Sequence, residues 1–159
     1  MATAYFYTKG LLNLVKGAID FSTDTFHVAL MDKSAVPTEF TFNQHTDEKW
    51  SDVKAYESDE ADYPAVGGVE ITVTSANHAT VKVELKTTQE KAQFTAEGDI
   101  SARAAVIFQR IDVEGGVDDD SLLLACIPFG ELRESEEAEY AIEWHESGVI
   151  LEIEATAPA

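Results

Sequence analysis

Residues 69–86 read VEITVTSANHATVKVELK, and this stretch decides the fold class. Apolar side chains occupy every second position from Val69 to Val73, and again from Ala79 to Leu85. A period of two places one face of a strand on a core and the other face in water. Because Asn77-His78 lies between the two runs as a turn, the stretch predicts a β-hairpin.

Strand patterns continue on both sides of this hairpin. The further predicted strands, in chain order, are Phe26–Met31, a short strand at Phe94, Ala102–Ile111, Leu122–Phe129, Glu137–Trp144 and Val149–Ile153. The last two are expected to form a second hairpin around a turn at residues 146–148. About eight short strands separated by turns predict an all-β fold, an antiparallel β-sandwich.

One helix is predicted ahead of the strands. Apolar residues between Thr8 and Ile19 recur at helical spacing, with Thr8 as the expected N-cap and Asp20 as the expected end. Gly10 and Gly17 weaken this helix, so it is expected to need tertiary packing. The length of 159 residues and the hydrophobic share of 45% predict a single domain, residues 1–159, with its own core.

Residues 34–68 form a long loop excursion in this scheme, acidic at Glu57–Asp62 and rich in aromatic residues. Loops of this length are usually functional or contact a partner. Large aromatic side chains commonly anchor protein interfaces. The predicted partner-contact residues are therefore Phe40, Phe42, Trp50, Tyr56 and Tyr63. The alternative is that these rings fold back and cap an open end of the sandwich.

The charge balance excludes several partners. The chain has 30 acidic and 11 basic side chains, for a formal charge of −19. This argues against binding naked nucleic acid or an anionic membrane surface, both of which require lysine and arginine. The apolar run Leu122–Phe129 is too short to span a bilayer, and residues 1–18 lack a signal-peptide core. Since salt screens self-repulsion, the composition favours a saline environment, with an ordinary acidic protein as the alternative.

Motifs for catalysis, cofactors and metals are not expected. Gly67-Gly68 and Gly115-Gly116 are turn pairs rather than phosphate loops, and the histidines lack zinc spacing. Cys126 stands alone in an apolar run and is predicted to be inert packing. Asp118–Asp120 is predicted to be a solvated turn, with a Ca²⁺ or Mg²⁺ site as the alternative. We expect a protein that is not an enzyme; chemistry on the acidic clusters is the remaining alternative.

The faces of the last predicted strands carry several glutamates. They stand at Glu139, Glu143, Glu152 and Glu154. Charges on open strand edges prevent unwanted pairing between sheets. The same charges can meet a basic partner, and the sequence leaves both interpretations open.

Several stretches together are similar to a known family. Residues 7–31 (YTKGLLNLVKGAIDFSTDTFHVALM) resemble the opening of small structural proteins encoded in the virion gene clusters of tailed bacteriophages. The later order agrees with that family, at Trp50–Val53, Tyr63–Gly68, Ile100–Phe108, Leu124–Gly130 and Ala141–Leu151. These are packing and turn signatures, and they cover nearly the whole chain.

The resemblance implies a virion structural protein, and capsid decoration (a cement protein) is the expected role. Its implied partners are the major capsid protein, further copies of this chain, or both. The acidic loop and strand faces depart from the family pattern and fit a virus of a salt-loving host. The alternative is a tail- or fibre-associated module that binds a host surface glycan through Trp50, Tyr56 and Tyr63.

Overall fold

A computed structural model of the chain describes residues 3–32, 40–77, 82–144 and 149–154. Antiparallel strands dominate these ranges, so the predicted all-β class is confirmed. The strands are β1 (Tyr5–Phe6), β2 (Phe26–Met31), β3 (Val69–Ile71), β4 (Thr74–Asn77), β5 (Lys82–Lys86), β6 (Lys91–Gln109), β7 (Asp112–Val113), β8 (Gly116–Val117), β9 (Leu123–Glu143) and β10 (Val149–Glu154). The helices are α1 (Thr8–Val15) and α2 (Trp50–Val53), and a 3-10 turn at Lys54–Tyr56 follows α2.

The strands form one large and one small sheet, with β7 and β8 as a separate two-stranded hairpin. The five-stranded sheet has the order β1-β9-β6-β2-β3, and the three-stranded sheet has the order β10-β5-β4. The longest pairing joins β6 to β9, from Phe108 opposite Leu123 to Lys91 opposite Glu143. Since β2 reaches only Ala104 on β6, the other end of this pairing continues as a two-stranded ribbon.

The two sheets share a core. Phe26, Val28 and Leu30 of β2 lie in a cluster of buried side chains that also contains Leu85 of β5. Ile150 of β10 packs against the same cluster. Two sheets that enclose one apolar layer are sandwich-like, in agreement with the predicted class.

Residues 40–57, called here the covering segment, lie on the opposite face of the five-stranded sheet. Trp50 of α2 is buried there in a second cluster with Met31 of β2 and Phe108 of β6. Burial on both faces explains why β2 and the second half of β6 are continuous apolar runs rather than alternating ones.

β6 exchanges its two faces at a register shift with β9, and both halves of the strand contribute to the first core. Ile100 and Ala102 belong to that core, and so do Ala105 and Ile107, an odd number of residues further on. The pairing register with β9 shifts between Ala102 and Ala104. Here β6 advances by two residues while β9 advances by five, from Arg133 to Pro128, so the extra residues of this irregularity lie on β9.

Helix α1 is shorter than predicted. It ends at Val15 and not at Ile19, because Gly17 adopts a φ of +78°, a left-handed conformation that ends helices. The N-cap is Tyr7 and not Thr8, and no side chain caps the first turn. The predicted boundaries were wrong because the apolar spacing continues beyond the residue at which the backbone turns.

Gly10 brings α1 close to β9. A Cβ at this position would lie 2.5 Å from the carbonyl oxygen of Leu123 and 2.8 Å from that of Leu124. The amide of Tyr7 donates a hydrogen bond to the same Leu124 oxygen at 3.0 Å. The start of the helix is therefore set by tertiary contact, as its weak sequence signal predicted.

Four predicted strands merge into two. The strand at Phe94 and the run Ala102–Ile111 belong to β6, and Leu122–Phe129 and Glu137–Trp144 belong to β9. The prediction of short strands was wrong because the acidic middle of β9 has no apolar pattern. It nevertheless pairs with β6 through backbone hydrogen bonds, which do not require apolar side chains.

The first predicted hairpin is confirmed in part, because residues 74–77 and 82–86 pair antiparallel, but the strand beside β5 is not the predicted one. β3 pairs with β2, and β4 takes the place beside β5 that was predicted for residues 69–73. β10 pairs with β5 and not with the end of β9, so the predicted second hairpin is wrong. The predicted turns at His78 and at residues 146–148 lie outside the described residues.

Candidate functional site

Trp50, the first of the predicted contact residues, is in the interior. Its side chain is 1% exposed, and the indole stacks on Phe108 with ring centroids 4.5 Å apart. The Trp50 amide donates to the Ser121 carbonyl at 2.8 Å, and the Asp52 carboxylate accepts from the Lys49 amide at 2.9 Å. These contacts fix the start of α2 on the sheet, so the indole fills the second core.

Tyr63 is buried on the other side of β2. Its hydroxyl donates to Glu57 Oε1 at 2.9 Å and accepts from the Leu30 amide at 3.1 Å. The ring stacks with Phe94 at a centroid distance of 6.0 Å. Burial raises the pKa of the Tyr63 hydroxyl far above its usual range, so it remains a neutral donor.

The other three predicted contact residues are half-buried. Phe40 and Tyr56 pack edge to face at 5.6 Å, and Phe42 packs edge to face against Tyr7 at 5.0 Å. All three lie against the second core. The structure thus spreads the five rings over both faces of the large sheet, which corresponds to the fold-back alternative. Partner contact by these residues stays a prediction.

Glu57, the last residue of the covering segment, is a buried acidic residue. Its Oε1 accepts from the Gly67 amide at 2.6 Å as well as from the Tyr63 hydroxyl. Burial raises the pKa of Glu57, although these hydrogen bonds and the nearby Arg110 oppose the change. The carboxyl group therefore joins residues 57–67 to one another and is satisfied by the chain itself.

Arg110 and His27 lie next to this group. Arg110 Nη1 donates to the Val66 carbonyl at 2.9 Å and lies 3.4 Å from His27 Nδ1, and Arg110 Nε contacts Asp112 at 2.6 Å. Burial, followed by the charge of Arg110, lowers the pKa of His27. The lowered pKa favours the neutral imidazole near pH 7, and a neutral imidazole packs beside the Arg110 guanidinium without charge repulsion.

Two further carboxyl groups, those of Asp32 and Glu60, meet at Ser101. The Ser101 hydroxyl is 2.7 Å from Asp32 Oδ2 and 2.9 Å from Glu60 Oε1, and its amide donates to Glu60 Oε1 at 2.8 Å. Burial raises the pKa of Asp32, and the adjacent Glu60 adds to this increase. Glu60 attaches residues 58–63 to β6, and Asp32 attaches the end of β2 to the same serine.

The acidic turn Asp118–Asp120 is bound to the covering segment. Lys54 Nζ contacts Asp119 Oδ1 and Lys49 Nζ contacts Asp120 Oδ1, both at 2.8 Å. Within the described ranges, no group of three histidine, cysteine or acidic side chains could hold a metal ion. Cys126 is buried, and this burial raises the pKa of its thiol to about 12, as expected for inert packing.

Among the described residues, two concave surfaces are candidate sites. One, of about 690 Å³, lies between residues 54–66 and the turn at Gly115-Gly116. The other, of about 640 Å³, lies on β9 and is called here the β9 groove. Its lining consists of Phe129, Arg133, Glu134, Glu139, Tyr140, Ala141, Ile142, Glu143 and Trp144.

A bulge bends β9 between the two stretches of this strand that line the groove. Glu137 has a φ of 46°, and its amide donates to Asp99 Oδ1 at 2.7 Å. The Ser135 hydroxyl accepts from the Ile100 amide at 3.1 Å and donates to the Gly98 carbonyl at 2.8 Å. Side chains thus replace backbone pairing at the bend, and the two arms of β9 enclose a concave surface.

The β9 groove combines an apolar floor with an acidic rim. Phe129, Ile142 and Trp144 are partly buried against the first core. Glu134 and Glu143 are exposed at the rim. The sequence pattern indicated part of the acidic rim, at Glu139 and Glu143, but it did not predict a groove beside these residues.

Comparison with known proteins identified no relative of this chain. No family model matches the chain, and no curated protein or solved structure is significantly similar to it. Among the described residues, no helix has the length and apolar character needed to cross a membrane.

Proposed function

We propose that this chain is a non-enzymatic structural protein of a tailed virus, most specifically a capsid decoration protein. Its partners are the major capsid protein and further copies of the chain. The sequence supports this proposal through the ordered resemblance to phage structural proteins over nearly the full length. The charge of −19 supports a saline host environment.

The observation that carries the proposal is the exposed stretch Glu131–Glu139 of β9. From Glu131 to Glu139 almost every residue of β9 is exposed, although the backbone is held in pairs with β6. A hydrogen-bonded strand that presents most of its side chains outward is suited to binding a large protein surface.

The contacts of the carboxyl groups support a structural role rather than a catalytic one. Glu57 and the pair Asp32–Glu60 accept hydrogen bonds from amides and hydroxyls of the chain itself. Asp119 and Asp120 form ion pairs with lysines of the covering segment. The acids with well-defined partners therefore stabilise the fold.

The glycan-binding alternative has less support from the geometry. It depends on exposed rings at Trp50, Tyr56 and Tyr63, since sugars stack on accessible aromatic faces. Trp50 and Tyr63 are buried, and Tyr56 is half-buried against Phe40. We therefore do not extend the proposal to glycan attachment.

The experiment is the localisation of the chain in virus particles. Particles purified from the encoding virus are analysed by mass spectrometry, and cryo-electron microscopy then locates the chain. We expect many copies in regular positions on the outer surface of the head. Absence from particles would contradict a virion role, and a position only in the tail would contradict capsid decoration.

A further inference from the structure

We propose that the outer edge of β9, residues 128–143, binds an extended lysine- or arginine-rich segment of a partner protein as an additional strand. This inference deepens the proposed function, because it names the surface and the chemistry of the partner. It rests on that function only for the identity of the protein that carries the segment.

The first argument is the open edge. One side of β9 pairs with β6 along nearly its whole length. The other side pairs with β1 only at Ala125 and Cys126. Within the described part of the chain, residues 128–143 have no strand on that side. An unpaired edge offers amides and carbonyls to an incoming strand, which is the basis of β-strand addition.

The second argument is the β9 groove beside this edge. Its apolar floor, formed by Phe129, Ile142 and Trp144, can receive the alternate side chains of an added strand. Trp144 Nε1 is buried and has no acceptor among the described residues. A buried indole N–H without an acceptor is costly, so a turn of the indole towards a carbonyl of a segment bound in the groove would relieve that cost.

The third argument is charge. Residues 128–144 contain six acidic side chains and a single basic one, Arg133. The acidic residues are Glu131, Glu134, Glu136, Glu137, Glu139 and Glu143. Arg133 pairs with Glu131 at 3.4 Å and Lys91 pairs with Glu139 at 2.6 Å, which leaves a strong negative excess. A second copy of this edge would be repelled, whereas a basic segment is attracted.

The test uses the full chain and three synthetic peptides. The first peptide alternates lysine with valine, the second replaces each lysine with glutamate, and the third is the lysine peptide with alternate backbone amides N-methylated. Binding is measured by calorimetry at about 0.05 M salt, where surface attraction is weakly screened. Amide hydrogen exchange of the chain then shows which backbone groups become protected.

We expect only the lysine peptide to bind, with new protection confined to β9. The variant Glu134→Gln/Glu136→Gln should weaken this binding about three- to tenfold, as expected for the loss of two exposed charge contacts. The matched control Glu70→Gln/Glu114→Gln removes the same net charge from exposed positions elsewhere. It should change the affinity less than about twofold, because distant exposed charges are screened.

Several results would overturn the inference. Equal binding of the N-methylated peptide would show attraction by charge alone, without an added strand. Equal binding of the glutamate peptide, or protection outside β9, would exclude this edge as the site. Self-association of the chain through β9 would show that the occupant is a second copy. None of these results affects the location of the chain in virus particles, so the two proposals fail separately.

Discussion

Replacing Gly10 with alanine tests whether the packing of α1 on β9 outweighs local helix propensity. In an isolated helix this change would stabilise by about 1 kcal/mol, because glycine is the poorer helix former. In the folded chain the new Cβ would lie 2.5 Å from the Leu123 carbonyl oxygen and 2.8 Å from that of Leu124. Both are backbone atoms of a central strand, so neither can move as a flexible side chain would.

The expected result is a net loss of stability. Overpacking against a rigid neighbour costs about 1–3 kcal/mol. Displacement of Leu124 also weakens its hydrogen bond with the Tyr7 amide, worth about 1 kcal/mol. After subtraction of the propensity gain, we expect Gly10→Ala to lower the free energy of unfolding by about 1–3 kcal/mol. For a chain of this size the melting temperature should then fall by about 2–12 °C.

Urea denaturation followed by circular dichroism measures this change, and thermal melting provides an independent check. The control is Val15→Ala in the same helix, since Val15 is 78% exposed and its loss removes little packing. Its effect should stay within about 0.5 kcal/mol. If Gly10→Ala is as stable as the unaltered chain, or more stable, the close approach of α1 to β9 is not as described here.

Three further predictions concern the core, the buried carboxyl and the surface charge. Trp50→Ala should lower the free energy of unfolding by about 3–5 kcal/mol in urea denaturation, because it empties a fully buried site; an unchanged value would place the indole outside the core. Burial raises the pKa of Glu57 in the folded state, so folding favours its protonated form, and stability should increase as pH falls from neutral towards the ordinary value of 4.5. Glu57→Gln should flatten this part of the pH profile measured by thermal melting, and an identical slope would refute the assignment. The melting temperature should also rise between about 0.05 M and about 2 M monovalent salt, because screening reduces repulsion among the excess acids; a constant value would remove the argument for a saline environment.

The amino-acid sequence alone determined the class of the fold and much of its interior. The run Phe26–Met31 predicted the buried strand β2, with the same boundaries as in the structure. The period of two around Lys82–Lys86 predicted β5, and the lone Cys126 was correctly predicted to be buried. These features are visible in the sequence because burial selects apolar side chains locally, whatever element lies next to them.

Part of the candidate site was also visible in the sequence. Glu139 and Glu143 were recognised as a charged strand face, and the aromatic residues of 40–63 as a functional or packing segment. The sequence could not decide between partner contact and fold-back for Trp50, because an aromatic residue suits a protein interface and a core equally well. Its burial is set by α2, which lies against Phe108, far away in the chain.

Tertiary structure alone decided which strands are neighbours. Strand pairing uses backbone amides and carbonyls, which every residue except proline has in the same form, so local sequence says little about the partner. The acidic middle of β9 therefore pairs with β6 without any apolar signal, and β10 joins β5 instead of the strand that precedes it. The bend beside the β9 groove is held by Asp99 and Ser135, whose side chains bind backbone groups there, and no pattern along the chain brings these residues together.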